Sequence, residues 1–303
     1  MTDTTPTPPA AQPAPAPQPT PAPVAAPPAA PTATPAATPV SAPSKPLVFT
    51  AKPMKIGVVP FLNSQPLVWG MKDHHQLFPI PPGKLGQMLK DGQLDVAIAP
   101  VVASFLDPTL QIVPVAAIGS KGAIKSVRIL SHGPLGNVER LFVDDRSQTS
   151  VLMARLILKR WFGVKKLEVK PVDMAAFHPN QAKPWEGTLQ FGDMALIAPP
   201  TGMTVTDLGE EWFLRTQKPF IHAVWLARNV EIAREIKEDL MAAKNEGVKH
   251  YQEIVDQYKG IWVFERAKAK EYLEKYVVYE YGPEEVKGQL EFQKLLKEEG
   301  LIL

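Results

Sequence analysis

Lys55-Ile-Gly-Val-Val-Pro60, followed by Phe61-Leu-Asn-Ser-Gln-Pro66, decides how the chain is read. The first six residues are a short apolar run and predict a buried strand. The next six are a polar turn, and a helix is expected to start over 67–71, with Pro66 suited to its first turn. The theme returns once. Arg140-Leu-Phe-Val-Asp144 predicts a strand, Asp145-Arg-Ser-Gln-Thr149 a polar loop, and 150–162 a strong helix closed by Gly163. Two strand–turn–helix units imply two α/β lobes, although no sequence repeat connects them.

Outward from these units the pattern alternates. Residues 82–91 are amphipathic, with Leu85, Met88 and Leu89 on one face and Gly92 as the stop. Asp95-Val-Ala-Ile-Ala-Pro100 is a second buried strand, and 112–118 and 126–131 are further apolar runs. Strands are also expected at 167–172, 191–198 and 220–226. From Glu231 the chain reads as helical, over 231–246, 248–258, 265–277 and 283–299. Its charges there alternate as on solvent-facing helix surfaces and carry no chemistry. Alternating strands and helices predict parallel α/β sheets. A chain leaving the first lobe near 128 and returning near 224 makes two crossovers and a cleft. Ligands in such folds sit at the carboxyl ends of the strands. The expected division is a disordered Pro/Ala-rich tail over 1–53, lobe 1 over 54–127, lobe 2 over 128–223, and a return to lobe 1 with C-terminal helices over 224–303.

Composition agrees. Of the 33 prolines in 303 residues, 17 fall in 1–53, where no aromatic precedes Phe49. Such a segment cannot offset its ordering entropy by burial. Lys plus Arg number 33 against 31 Asp plus Glu, too balanced to point to nucleic acid. There is no cysteine, which excludes disulfides, thiol nucleophiles, iron–sulfur clusters and a lipid anchor through Cys. No apolar run approaches the ~18–20 residues that span a bilayer. The start, Met1-Thr2-Asp3, lacks a basic region, so a cytoplasmic protein without membrane attachment is expected.

Four segments are candidates for chemistry. Asn63, between strand and helix, can donate and accept hydrogen bonds, or it caps the helix. Gly119-Ser120-Lys121-Gly122-Ala123-Ile124-Lys125-Ser126 lacks the ending of a nucleotide loop, yet Ser120, Gly122 and Ser126 can bind an oxyanion; an ordinary turn is the alternative. Ser147-Gln148-Thr149-Ser150 opens a helix, where free N–H groups favour an anion, or where Ser147 or Thr149 is a plain cap. In Gln190-Phe191-Gly192-Asp193, Asp193 is a base, an orienting carboxylate or a turn residue. None of the six histidines pairs at a helical zinc spacing. His74 and His75 read as solvated, and His222 as a hydrogen-bonded core histidine. No metal or cofactor motif is visible, so none is expected.

In this order the segments resemble the chorismate dehydratase family of the futalosine route to menaquinone. The resemblance rests on Ile56-Gly-Val-Val-Pro-Phe-Leu-Asn63, Gly92-Gln-Leu-Asp95-Val-Ala, Gly122-Ala-Ile-Lys-Ser126-Val, Ser147-Gln-Thr149-Ser150-Val, Gly192-Asp193-Met-Ala-Leu196, Asp207-Leu-Gly-Glu-Glu-Trp212 and Ala223-Val-Trp225, and covers roughly 54–300. It implies a two-lobed fold like that of type II periplasmic binding proteins, and elimination of water from chorismate to give 3-[(1-carboxyvinyl)oxy]benzoate. That makes the chain a carbon–oxygen lyase with a small-molecule substrate and no obligate protein partner. It implies catalytic roles for Asn63 and Ser126, and substrate binding by Thr149, Ser150, Gly192 and Asp193, with Ser120 and Gly122 beside them. Asn63 is expected to meet the leaving hydroxyl. The proton acceptor is expected to be the substrate's own enolpyruvyl carboxylate held by Ser126, with Asp193 as the alternative. Two other readings remain: a transporter's solute-binding protein, and the sister 1,4-dihydroxy-6-naphthoate synthase, whose Ser-Pro-Cys-Pro-Asn-Asp type motif is missing at 59–65. The chain departs from the family pattern at Gln190, Gln217, Lys218 and His222, which bears on substrate preference.

Overall fold

The computed structural model describes residues 47–144, 146–174, 176–260 and 265–303. Residues 1–46 of the expected tail therefore lie outside the described residues. In chain order the elements begin with β1 (Lys55–Val58), β2 (Gln76–Pro79), α1 (Pro82–Lys90), β3 (Val96–Pro100), α2 (Val102–Leu106) and β4 (Gln111–Ser120). The chain then builds β5 (Val127–Ser131), β6 (Arg140–Val143), α3 (Gln148–Trp161), β7 (Glu168–Pro171), β8 (Glu186–Phe191), β9 (Thr204–Asp207) and α4 (Leu208–Thr216). It ends with β10 (Phe220–Ala227), α5 (Val230–Gly247), α6 (Tyr251–Gln257), α7 (Arg266–Glu271) and α8 (Pro283–Glu298).

The strands form two five-stranded sheets of matching plan, β2-β1-β3-β10-β4 and β7-β6-β8-β5-β9. Each has a parallel trio, centred on β1 or β6, and an antiparallel pair of contacts made by β10 or β5. The sheets are thus mixed, not parallel as the alternation alone predicts. The reason is the crossovers: β5 and β10 are the strands that arrive from the other lobe, and they run against their neighbours. The expected strand at 191–198 is β8 followed by a 3-10 turn at Gly192–Leu196. The polar turn after β1 is itself a 3-10 helix, Leu62–Val68.

The sheets are covered as their burial patterns require. All five residues of β3 and all five of β5 are buried, as for strands packed on both faces. Beneath β10, Trp212, Phe220 and Phe292 meet edge-on, with ring centroids 4.8–5.7 Å apart. Each such ring pair adds about 0.5–1.5 kcal/mol beyond its area burial. Helix α5 presses its last turn onto the 3-10 helix, and a Cβ at Gly247 would fall 1.9 Å from the Pro66 carbonyl oxygen. Only glycine permits that approach. No helix among the described residues is long and apolar enough to cross a membrane.

The segment before β1 is held in place. Asp239 of α5 accepts from the Thr50 and Ala51 backbone N–H groups at 2.8 and 3.0 Å, and pairs with His75 Nε2 at 3.2 Å. His75 Nδ1 accepts from Met54 N, and His74 Nε2 meets the Ala51 carbonyl. His75 is buried, not solvated as expected, and the packed chain begins ahead of Met54. Burial holds the His75 pKa below its ordinary 6.5. The unfolded chain therefore binds more protons below that value, and stability falls as pH drops through and below 6.5. Denaturant midpoints measured from about pH 7 to about pH 5 are expected to decline less steeply for His75→Gln than for the wild type; equal slopes would dissociate this histidine from the effect.

Candidate functional site

The ends of the parallel strands point the site residues at one another. At and beyond the ends of β1 and β3 stand Val59, Phe61, Asn63 and Pro100, and at and beyond the ends of β6 and β8 stand Ser147, Thr149, Ser150, Phe191 and Gly192. With Ser126, His222 and Ala223 they line a pocket enclosing about 520 Å³ of empty space, part of it open to solvent. The closed cavity itself is only about 60 Å³, below the roughly 300–1,000 Å³ of typical small-molecule sites. None of its lining residues is Asp, Glu, Lys or Arg.

Its centre is a chain of uncharged hydrogen bonds. Asn63 Nδ2 donates to the Tyr272 hydroxyl at 3.0 Å, and Tyr272 donates to Ser126 Oγ at 2.9 Å. Tyr279 donates to the Asn63 carbonyl at 3.0 Å. Burial raises the pKa of both phenols, so they stay protonated. Ser126, having accepted from Tyr272, keeps its own O–H to give, and Asn63 Oδ1 is buried without a partner. Tyr272 opens a five-residue π-helical turn, Tyr272–Tyr276, of a kind frequent at functional sites. The sequence pattern assigns no chemistry to this region: its charges do face solvent, but Tyr258, Tyr272 and Tyr279 turn inward.

Across the pocket, α3 presents its first turn. Thr149 Oγ1 is buried and unpartnered, and Ser147 Oγ donates to Ser150 Oγ at 2.8 Å, leaving the Ser150 proton free. The Ser147 side chain does not cap the helix, so the first N–H groups and the positive end of the dipole stay available for an anion. His222 also faces the pocket, and it is not the bonded core histidine expected. Both its ring nitrogens are buried without partners, and burial pushes its pKa down to about 3.

Other expected site residues lie elsewhere. Ser120 and Gly122 do not line the pocket; they pack against the start of α4, where a Cβ at Gly209 would fall 2.7 Å from the Gly122 carbonyl and 2.8 Å from Ser120 Oγ. Gly192 does line the pocket; at φ 65° it packs against the Phe61 ring, 2.7 Å from where a Cβ would stand. Asp193 reaches back across the cleft, accepting from Leu62 N at 3.1 Å through one oxygen and from the Tyr258 hydroxyl through the other. It therefore ties lobe 2 to lobe 1. Asp207, absent from the candidates, caps α4 and accepts from Ile124 and Lys125 N–H groups at 3.1 and 2.6 Å, which fixes the crossover leading to Ser126. Of the four departures, Gln190 receives Arg128, Gln217 takes the left-handed cap of α4, and Lys218 pairs with Glu291 at 3.6 Å. His222 alone of these four lines the pocket.

Known proteins resemble this chain in sequence and in fold. A family model described as menaquinone biosynthesis matches residues 54–298. The chorismate dehydratase of Thermus thermophilus is 23% identical over 228 residues, 68% of this chain and 81% of that protein. Among solved structures, a protein of Archaeoglobus fulgidus superposes with a TM-score of 0.69 at 15% identity, over 83% of this chain and 99% of the other. The alkanesulfonate-binding protein of Xanthomonas axonopodis pv. citri gives 0.60 at 13% identity, over 85% and 96%. The periplasmic aliphatic sulphonate binding protein of Escherichia coli gives 0.55 at 15%, over 84% and 89%. The two lobes, the mixed sheets and the helical C-terminus make a periplasmic-binding-protein-like fold.

The tie made by Asp193 is open to measurement. Asp193→Ala leaves the buried Leu62 N–H unmatched and the Tyr258 hydroxyl with only the longer contact to the Pro60 carbonyl, and is expected to lower the unfolding free energy by about 2 kcal/mol in denaturant titrations. An unchanged midpoint would remove the tie.

Proposed function

Because the chain belongs to the menaquinone biosynthesis family, we propose that it is a chorismate dehydratase, a hydro-lyase that yields 3-[(1-carboxyvinyl)oxy]benzoate. The observation that carries the reading is the Asn63–Tyr272–Ser126 chain facing the open first turn of α3 across one pocket. The dehydratase of Thermus thermophilus supports it at the level of sequence.

The chemistry asks for what these groups offer. Chorismate carries two carboxylates, and the turn at Thr149 and Ser150 takes one of them. The C3–H bond breaks first, and its electron pair spreads through the neighbouring double bond toward the ring carboxylate. Donors fixed there favour that charge over the ground state. The C4–O bond then breaks, the ring becomes aromatic, and the hydroxyl leaves as water with the abstracted proton. Asn63 meets the departing hydroxyl. The substrate's enolpyruvyl carboxylate, positioned by Ser126, takes the proton, so the protein contributes placement more than basicity. Asp193 is a poor candidate for the base, because it faces Leu62 and Tyr258 and is not among the pocket residues. Cytoplasmic residence belongs to the same proposal and is checked by cell fractionation.

Purified protein incubated with chorismate is expected to form a product lighter by one water, read by mass spectrometry. Binding without turnover would favour a solute-binding protein, and neither binding nor turnover would leave the sister enzyme, which acts on a different substrate. Tyr272→Phe removes the shared hydroxyl and is expected to cut kcat about a hundredfold, as loss of one positioned polar group does. Asn63→Ala is expected to lower kcat far more than affinity. Equal losses in both would contradict its role at the leaving group, and Asp193→Asn is expected to keep near-normal turnover.

A further inference from the structure

The proposed substrate is a dianion, yet the pocket has one helix-start cradle, at α3, and for the other carboxylate the hydroxyl of Ser126. Of the second, expected over Gly119–Ser126, Ser120 and Gly122 are turned toward α4 and Ser126 lines the pocket. The opposite wall holds a different donor. Between the antiparallel pairs Ile221↔Gly119 and Ala223↔Ile118 the register of β10 shifts by one, so His222 is the extra residue of a bulge. Bulges of this kind re-aim side chains beside active sites. The His222 backbone carbonyl is held by Val101 N at 3.1 Å, and its ring leans on Phe220 with centroids 4.7 Å apart. The ring is thereby held in place, while both its nitrogens are buried and unpartnered and the residue lines the pocket. A buried polar group without a partner is costly and calls for one.

We propose that His222 completes the second carboxylate cradle beside Ser126, binding the substrate directly through a ring N–H from the lobe 1 wall while α3 binds the other carboxylate from lobe 2. This rests on the dehydratase reading. The ring suits that role, since a neutral imidazole always has one N–H to donate. Because no charged residue lines the pocket, the hydrogen bond to an anion is unscreened there. A glutamine in its place keeps a donor, whereas a valine keeps bulk and no donor.

The test is steady-state kinetics and calorimetric binding of chorismate to full-length wild type, His222→Val and His222→Gln, with thermal melts of each. His222→Val is expected to raise Kd and KM about tenfold or more, the worth of one hydrogen bond to a charged group, while kcat changes less than about threefold. His222→Gln is expected to recover part of the loss. The valine variant should melt no lower than wild type, because it removes two unmatched buried atoms. A folded His222→Val with wild-type KM overturns the proposal. If that variant does not fold, the ring 15N resonances of His222 in the wild type decide: they shift on adding chorismate, or the proposal fails. If the wild type neither binds nor converts chorismate, the dehydratase reading falls and this assignment falls with it.

Discussion

The Tyr272 hydroxyl has one proton to give and is shut away from water. That constraint organises the centre of the molecule. It accepts from Asn63, which stands on the 3-10 helix after β1, and donates to Ser126, which stands on the first crossover between lobes. A buried phenol left unbonded would cost about 1–3 kcal/mol, so the three groups hold each other in place. The bonds also polarise one another along the chain. What reaches the pocket is a set of neutral donors and acceptors already oriented, in surroundings where a fixed dipole counts for more than it does in water.

The other polar groups of the cleft follow the same rule. Several of the buried atoms that lack partners in the protein converge on this hollow: Asn63 Oδ1, Thr149 Oγ1 and the His222 nitrogens. Carboxylates appear one step back, where they accept from backbone N–H groups. Asp193 does so for Leu62 and Asp207 for Ile124 and Lys125. Lys125 sits at φ 65°, a strained geometry for a non-glycine residue that Asp207 secures. On the other side, Gly83 of α1 donates to the Arg146 carbonyl at 2.7 Å, a second contact between the lobes. Charge thus aligns the walls and is kept off the surface a dianion would meet.

Much of this is legible in the sequence, and the failures have physical causes. The strands β1, β3, β5, β6 and β10 can be read because burial on both faces makes them continuous apolar runs. The edge strands β2, Gln-Leu-Phe-Pro, and β9, Thr-Val-Thr-Asp, carry no such run and pass for loops. In β8 the opening Glu186 looks like surface, yet it is buried against Arg140 at 2.6 Å. Asn63, Ser126, Thr149 and Ser150 stand out as polar residues beside the ends of strands and helices. Their partners do not. Tyr272 lies 209 positions from Asn63 inside a charged helical stretch, and nothing local marks it as inward-facing. The bulge that aims His222 is likewise a matter of register between distant strands.

The strand order also dictates when each lobe can be finished on the ribosome. All five strands of the second sheet lie between Val127 and Asp207, so that sheet can close as soon as its own stretch has emerged. The first sheet cannot. Its strand β10 is wedged between β3 and β4, and without it β4 has no neighbour to pair with. The lobe that is translated first is therefore completed last, and its exposed edges wait through the synthesis of the entire second lobe before the pocket between them can exist.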